Sequence, residues 1–388
     1  MVKTMQKIIL FLSLFFFVLS VPRTYPTEID GKEFIYHSSI LLDEDSTLDQ
    51  TNVTSSELYD IAVLAVKGAK VRINSNLRIS KIVSNSNMIN PLEDGVEFQN
   101  SDDYKYGLTS AIVAIGMNTE ISISNAVIYV DCPFSNAIVA INNAKISMIN
   151  TTIITKKEYS KGLVAFNYGN MDINTNITIR TEGDFSPCIE VSKDKGDIFA
   201  FEIHLSTKGE GSPLLSNLYN GKQQIITADG RAENSPIIII KGENDISLHY
   251  CTFSGKGRGK DFKENDYNNG GIILYRNEEP YNSLAYLQLF HSVLTIDDDI
   301  EEIPMFSCYN TEAEIILEQT ETSFNQIFMI AHQNEDNNID TKINLSLNNI
   351  GFEGRIVAIG NSQINLKAGN ELISNIEIDG NIILESYD

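Results

Sequence analysis

A short apolar run returns along this chain at a nearly constant interval. It reads SAIVAIG from Ser110, NAIVAIN from Asn136, GLVAFNY from Gly162, PCIEVSK from Pro187 and PLLSNLY from Pro213, with starts 25 or 26 residues apart. It continues as PIIIIKG from Pro236, GIILYRN from Gly271, PMFSCYN from Pro304, QIFMIAH from Gln326 and RIVAIGN from Arg355, more widely spaced where charged insertions enter. A second element follows each run after a short turn: EISISNAVIYV from Glu120, KISMINTTIIT from Lys145, DIFAFEIHLST from Asp197, DISLHYCTFSG from Asp245 and INLSLNNIGFE from Ile343. Its apolar residues fall at offsets 0, 2 and 7, as in Ile121, Ile123 and Ile128 or Ile146, Met148 and Ile153. The first step is strand alternation, and the jump to 7 requires a bend near Asn125 or Asn150.

These connections are too short to hold a helix, and no amphipathic helical pattern appears after the N-terminus. Strands that recur once per turn of chain stack into a coil, each turn one hydrogen-bonding distance (about 4.8 Å) above the last. One turn cannot bury its own apolar face, so stability must come from stacking like on like. The expected fold is all-β: a single-stranded, right-handed parallel β-helix, the hand following from strand twist. Asn118, Asn143, Gly169, Gly196, Gly221 and Gly242 stand between the two elements, where a sharp corner needs left-handed backbone. A left-handed hexapeptide coil lacks its six-residue period here, and a β-sandwich would need half-polar strands joined by hairpin turns.

The N-terminus reads as an export signal. Lys3 and Lys7 precede the apolar run Ile8 to Leu19, and Val18 and Ser20 stand at the −3 and −1 positions of a cleavage site. The run suits a signal better than a spanning helix, with an uncleaved anchor as the alternative. The expected organisation is a signal over 1–20, a leader or cap over 21–60 and the coil over 61–388. That implies a secreted or cell-surface protein with no transmembrane span once the signal is removed. The formal net charge of −23 argues against nucleic acid as a partner. Four cysteines, Cys132, Cys188, Cys251 and Cys308, are too sparse for a disulfide framework and fall in separate turns, so they should be unpaired.

The segments STKGEGSPLL (Ser206–Leu215), KGENDISLHYCTFSG (Lys241–Gly255), GGIILYRN (Gly270–Asn277) and PMFSCYNTEAEIIL (Pro304–Leu317) carry a resemblance. In this order, over about Ser110 to Ile359, they resemble secreted or cell-surface, pectin-lyase-like right-handed β-helix proteins described as adhesin-like. The resemblance implies the fold and an extracellular place. Its members are mostly uncharacterised, so it implies no activity and no functional residue.

Enzymes that degrade polysaccharides share such folds and carry recognisable site motifs. Asn-Thr-Asp, Gly-His-Gly and Arg-Ile-Lys are missing, and the pairs Asp102–Asp103 and Asp297–Asp298 fall in loops. The sequence expectation is therefore a chain that is not an enzyme, with no catalytic residues and no cofactor. The alternatives are a polysaccharide lyase or hydrolase with an unrecognised site, and a purely structural surface protein. The acidic run from Asp297 lacks calcium-loop spacing, and His37, His204, His249, His291 and His332 lack metal-ligand spacing, so no metal is expected. His249 and His291 read as wall positions.

The binding candidates gather at one corner. An insertion there carries Lys256, Arg258, Lys260 and Tyr267, Tyr275 and Tyr281 lie nearby, and Asp297, Asp298 and Asp299 leave one turn later. Basic, acidic and aromatic residues on a loop pair suit a recognition surface, although opposite charges here also suit a self-neutralising pair. The expected partner is a cell-surface or extracellular polysaccharide. Asn52, Asn150, Asn176 and Asn344 head N-x-[ST] sequons, which matter only in a host that glycosylates.

Overall fold

The computed structural model describes residues 23–29, 32–48, 52–57, 59–74, 77–83, 107–192, 195–258, 269–275, 284–297, 303–332, 340–351, 354–369 and 376–387. Among them there is no helix, and so none long and apolar enough to cross a membrane. The chain winds as a parallel β-solenoid. One wall is a 14-stranded sheet and the other two share a 19-stranded sheet. Among the described residues every strand pair is parallel except Arg23–Ile29 with Lys32–Leu42, an antiparallel hairpin closing one end of the first wall.

Each turn passes along the first wall, around a tight corner, along the second wall, through a bend and along the third. The register stacks Ile112, Ile138, Leu163, Ile189 and Leu215 on the first wall. On the second wall it stacks Ile121, Ile146, Met171 and Ile198, all at most 1% exposed. Full burial of such a side chain contributes roughly 1.5–3 kcal/mol, and stacking repeats that gain at every turn.

The bend between the second and third walls falls where the 0/2/7 spacing requires it. Asn125, Asn150 and Asn176 take φ of 54°, 46° and 58° there. The Asn150 amide donates to Asn125 Oδ1, and the Asn176 amide donates to Asn150 Oδ1, both at 3.2 Å. At the corner after the first wall, Asn118, Asn143 and Gly242 are left-handed as expected, with φ of 63°, 65° and 75°. In the turns between them the left-handed residues are instead Asn167 and Tyr168, then Lys195, then Tyr219 and Asn220. Gly169 serves a different need, since a Cβ on it would lie 2.0 Å from the Ala140 carbonyl oxygen. All four cysteines are free and buried.

Candidate functional site

The outer face of the first wall changes character partway along the coil. In the earlier turns its outward residues Val113, Ile115, Val139, Ile141, Val164 and Phe166 are at most 2% exposed and form an apolar cluster separate from the main core. The Gly107 backbone lies against it, close enough that a Cβ would be 3.3 Å from the Val139 Cβ. A strand covered on both faces has no reason to alternate, which explains runs such as AIVAI. From Glu190 onward the same outward columns are mixed, with Glu190, Ser216, Ser307, Lys241 and His332 among Leu218, Ile239 and Ile330, and with Ile273, Tyr275 and Tyr309 forming a small apolar cluster. Glu190, Ser216, Ser307, Tyr275 and Tyr309, the outer strip of that wall, stay below 9% exposed, although no described strand packs on that face.

One column of the strip is a continuous row. Strand pairing aligns Leu218 with Lys241, then Tyr275, Tyr309 and His332 in successive turns. Lys241 Nζ stands 5.0 Å from the centre of the Tyr219 ring and 5.6 Å from that of Tyr275. Tyr275 stacks on Tyr309 at 5.1 Å, and Tyr309 on His332 at 5.4 Å. Such contacts contribute about 0.5–1 kcal/mol each where exposed and more where water is excluded. Burial holds the His332 imidazole below the usual histidine pKa.

The base of the row is fixed by polar groups inside the coil. Gln223 and Asn217 replace aliphatic residues on inward positions and are fully buried. Gln223 Nε2 donates to Asn217 Oδ1 at 2.8 Å and to the Ser216 carbonyl at 2.9 Å. Asn244 Oδ1 accepts from Gly221 N at 2.8 Å, and its amide donates to the Lys241 carbonyl at 2.6 Å. Bonds of this kind hold the corner that presents Tyr219 and Lys241. Two turns below Lys241 in the stack, Glu190 is paired with Lys161, both nearly without solvent contact.

Insertions in the sequence adjoin the same strands. Residues 259–268 and 298–302 enter just before strands Ile272–Tyr275 and Phe306–Tyr309, and residues 276–283 and 333–339 follow Tyr275 and His332. Of the binding residues expected from sequence, Tyr275 lies in the row itself. Lys256 and Arg258 leave the corner before the strip, Arg258 exposed. Asp297 N donates to the Gly255 carbonyl at 2.8 Å, one turn on, and its carboxylate pairs with Arg231 at 2.7 Å. Lys260, Tyr267, Tyr281, Asp298 and Asp299 lie outside the described residues.

Sequence reasoning missed Tyr219, Lys241, Tyr309, Lys161 and Glu190, and treated His332 only as a non-ligand. His249 and His291 sit one register position apart, stacked on Phe290 and Tyr250 respectively. Among the described residues no group of three His, Cys, Asp or Glu could hold a metal ion. The sequon residues Asn150 and Asn176 donate within the bend ladder, Asn344 accepts from Asn365, and Asn52 is exposed on the third wall.

No protein-family model matches the chain, and no curated protein does. Among solved structures it is similar to the catalytic domain of a GH87 alpha-1,3-glucanase in complex with nigerose, at 11% identity and a TM-score of 0.28. The likeness covers 89% of this chain, which spans 64% of that one. It overturns the expectation of a chain that is not an enzyme, because the protein it resembles is itself a catalytic domain. At this TM-score it carries no argument for a particular reaction, so function must be argued from the strip.

Proposed function

We propose that the protein engages a polysaccharide along the outer face of its first wall. The observation that carries this reading is the row Lys241, Tyr275, Tyr309 and His332 on successive turns, its three rings stacked and its ammonium set near the rings of Tyr219 and Tyr275. Aromatic side chains with polar tips beside an ammonium, held on a rigid scaffold, suit a ligand rich in hydroxyls. Glu190 is the carboxylate on the outward positions between Val164 and His332. Product release therefore belongs in the same measurement as binding. The N-terminal pattern of Lys3, Lys7 and the apolar run supports export, which would bring the strip to extracellular glycans.

The test incubates the full chain with a panel of purified polysaccharides, reading both retention and new reducing ends. Retention of at least one glycan, weakened by Tyr275→Ala and Tyr309→Ala, is the expected result. A chain that retains none of them, or variants that bind as the parent does, would remove the strip from consideration.

A further inference from the structure

The inward columns of the coil barely distinguish one turn from the next. Ile112, Ile138, Leu163 and Ile189 follow one another on the first wall, and Ile121, Ile146, Met171 and Ile198 on the second. Ile128, Ile153, Ile179 and Leu205 do the same on the third. If a turn looped out during folding, its neighbours could stack on each other with the core almost as well filled. Register is weakly specified wherever alternative pairings bury equivalent residues, and another device must then exclude them.

Two edges of the coil carry charges in a fixed order. The third wall ends on the register column Val130, Thr155, Thr181, Thr207, Ala232, Gly255 and Ile296. The residues that follow are Asp131, Lys156, Glu182, Lys208, Glu233, Lys256 and Asp297, and the sign alternates at every step. From Lys156 onward each donates its backbone N–H to the column residue of the turn before. Where the second wall begins, the register aligns Lys70, Glu120, Lys145, Asn170, Asp197, Lys222 and Asp245, and no two neighbours share a sign. Lys156 and Glu182 lie 2.5 Å apart, Lys208 and Glu182 3.9 Å, Lys70 and Glu120 3.8 Å, and Lys222 and Asp245 3.9 Å. Their side chains are 30% to 60% exposed, so each pair adds little to the stability of the folded chain.

Choosing between arrangements is a different task, and there the order of signs matters. With the turn of Lys156 left out, Asp131 meets Glu182; with that of Glu182 left out, Lys156 meets Lys208. Omitting the Lys208 turn brings Glu182 to Glu233, and omitting the Lys256 turn brings Glu233 to Asp297. Omitting the Glu233 turn brings Lys208 to Lys256 and Asp197 to Asp245, while loss of the Asp131 turn sets Lys70 beside Lys145. Like charges directly opposite are destabilising where opposite charges attract. We propose that the two ladders fix the order in which the turns stack, because every single-turn omission from Asp131 to Lys256 pairs like with like. Lys256 and Asp297, expected from sequence at a binding corner, belong to this device.

The experiment unfolds the full chain in urea and refolds it by dilution into about 10 mM or about 1 M salt, where screening lengths are roughly 30 Å and 3 Å. Limited proteolysis with mass spectrometry then counts chains cut between residues 132 and 255. A skipped turn is one open loop between two protected flanks, so its cuts fall within a single turn. The parent is compared with the exchange Glu182→Lys plus Lys208→Glu, which keeps composition, net charge and core. In that ladder, leaving out any one turn from Lys156 to Glu233 removes a like pair and joins opposite charges. At low salt the exchange should raise the single-turn cut fraction several-fold to about tenfold over the parent. At high salt the two should converge, the parent's own fraction rising. Equal cutting of the two chains at low salt, a difference that salt leaves in place, or cuts not confined to one turn per chain would overturn the proposal.

Discussion

Lys161 and Glu190, from adjacent turns of the coil, form an ion pair whose side chains are only 7% and 5% exposed. The pair sits where the outer face of the first wall stops being apolar. Removing charges from water is expensive, and a buried pair is strongly destabilised when one partner is deleted. Lys161→Met alone should therefore cost about 3–5 kcal/mol, and Lys161→Met with Glu190→Leu should cost much less. Urea unfolding of the single and double variants decides this. Equal losses would mean that the pairing of charges is not what matters there.

A second buried cation gives a pH signature. Lys81 is fully buried, and its Nζ donates to the carbonyls of Glu57 at 2.9 Å and Asp60 at 2.7 Å. Burial lowers its pKa from 10.5 to about 8. Between those values the folded chain has released the proton while the unfolded chain still holds it, so the unfolded state binds more protons and stability rises with pH. The gain, complete near pH 10.5, is roughly 3 kcal/mol. The difference in Tm between the parent and Lys81→Met, followed from pH 7.5 to 10, should move in the parent's favour as pH rises. Parallel curves would refute the shift.

The asparagine ladder at the bend joins backbone and side-chain contributions. Asn150 holds a left-handed backbone and takes part in two amide bonds along the coil. Asn150→Gly loses the bonds and keeps the backbone freedom, at about 1–2 kcal/mol for two net hydrogen bonds. Asn150→Ala loses both and should cost about 1 kcal/mol more. Chemical denaturation that ranks alanine as the milder change would show that backbone conformation is not what selects asparagine there.

The thiols should be silent in the folded chain. Burial pushes Cys188 and Cys251 up to about 12, and it raises Cys132 and Cys308 as well. Since the thiolate is the reactive form, a thiol reagent at pH 8 should label none of the four until denaturant is added, and then all four. Fast labelling of any one under native conditions would mean that its turn opens locally.

Much of the coil can be read from residue spacing alone. The interval between apolar runs sets the turn, and Ile121, Ile123 and Ile128 mark two walls with a bend at Asn125, because burial demands inward residues at those offsets. The row was harder to see, although its members sit in the same apolar runs. Lys241 and Tyr309 are the sixth residues of PIIIIKG and PMFSCYN, but Tyr275 is the fifth of GIILYRN and His332 the seventh of QIFMIAH. Counting from the opening residue therefore never aligns them. Register is set by the inward residues, and the bulge between Ile327 and Met329 adds one residue to the turn holding His332. The doubly covered strands were legible in principle, since AIVAI does not alternate, but nothing in sequence shows where covering ends.

Reading positions and core positions are interleaved on the same strands, Tyr309 beside Cys308 and Tyr275 beside Leu274. Neighbouring turns are the unit of cohesion in a stacked chain, so the two sets are free to diverge at different rates. A lineage of such proteins can rewrite every outward residue of the strip while the inward ladder is inherited unchanged. Duplication of a single turn would lengthen the strip by one register unit without a new fold having to be invented.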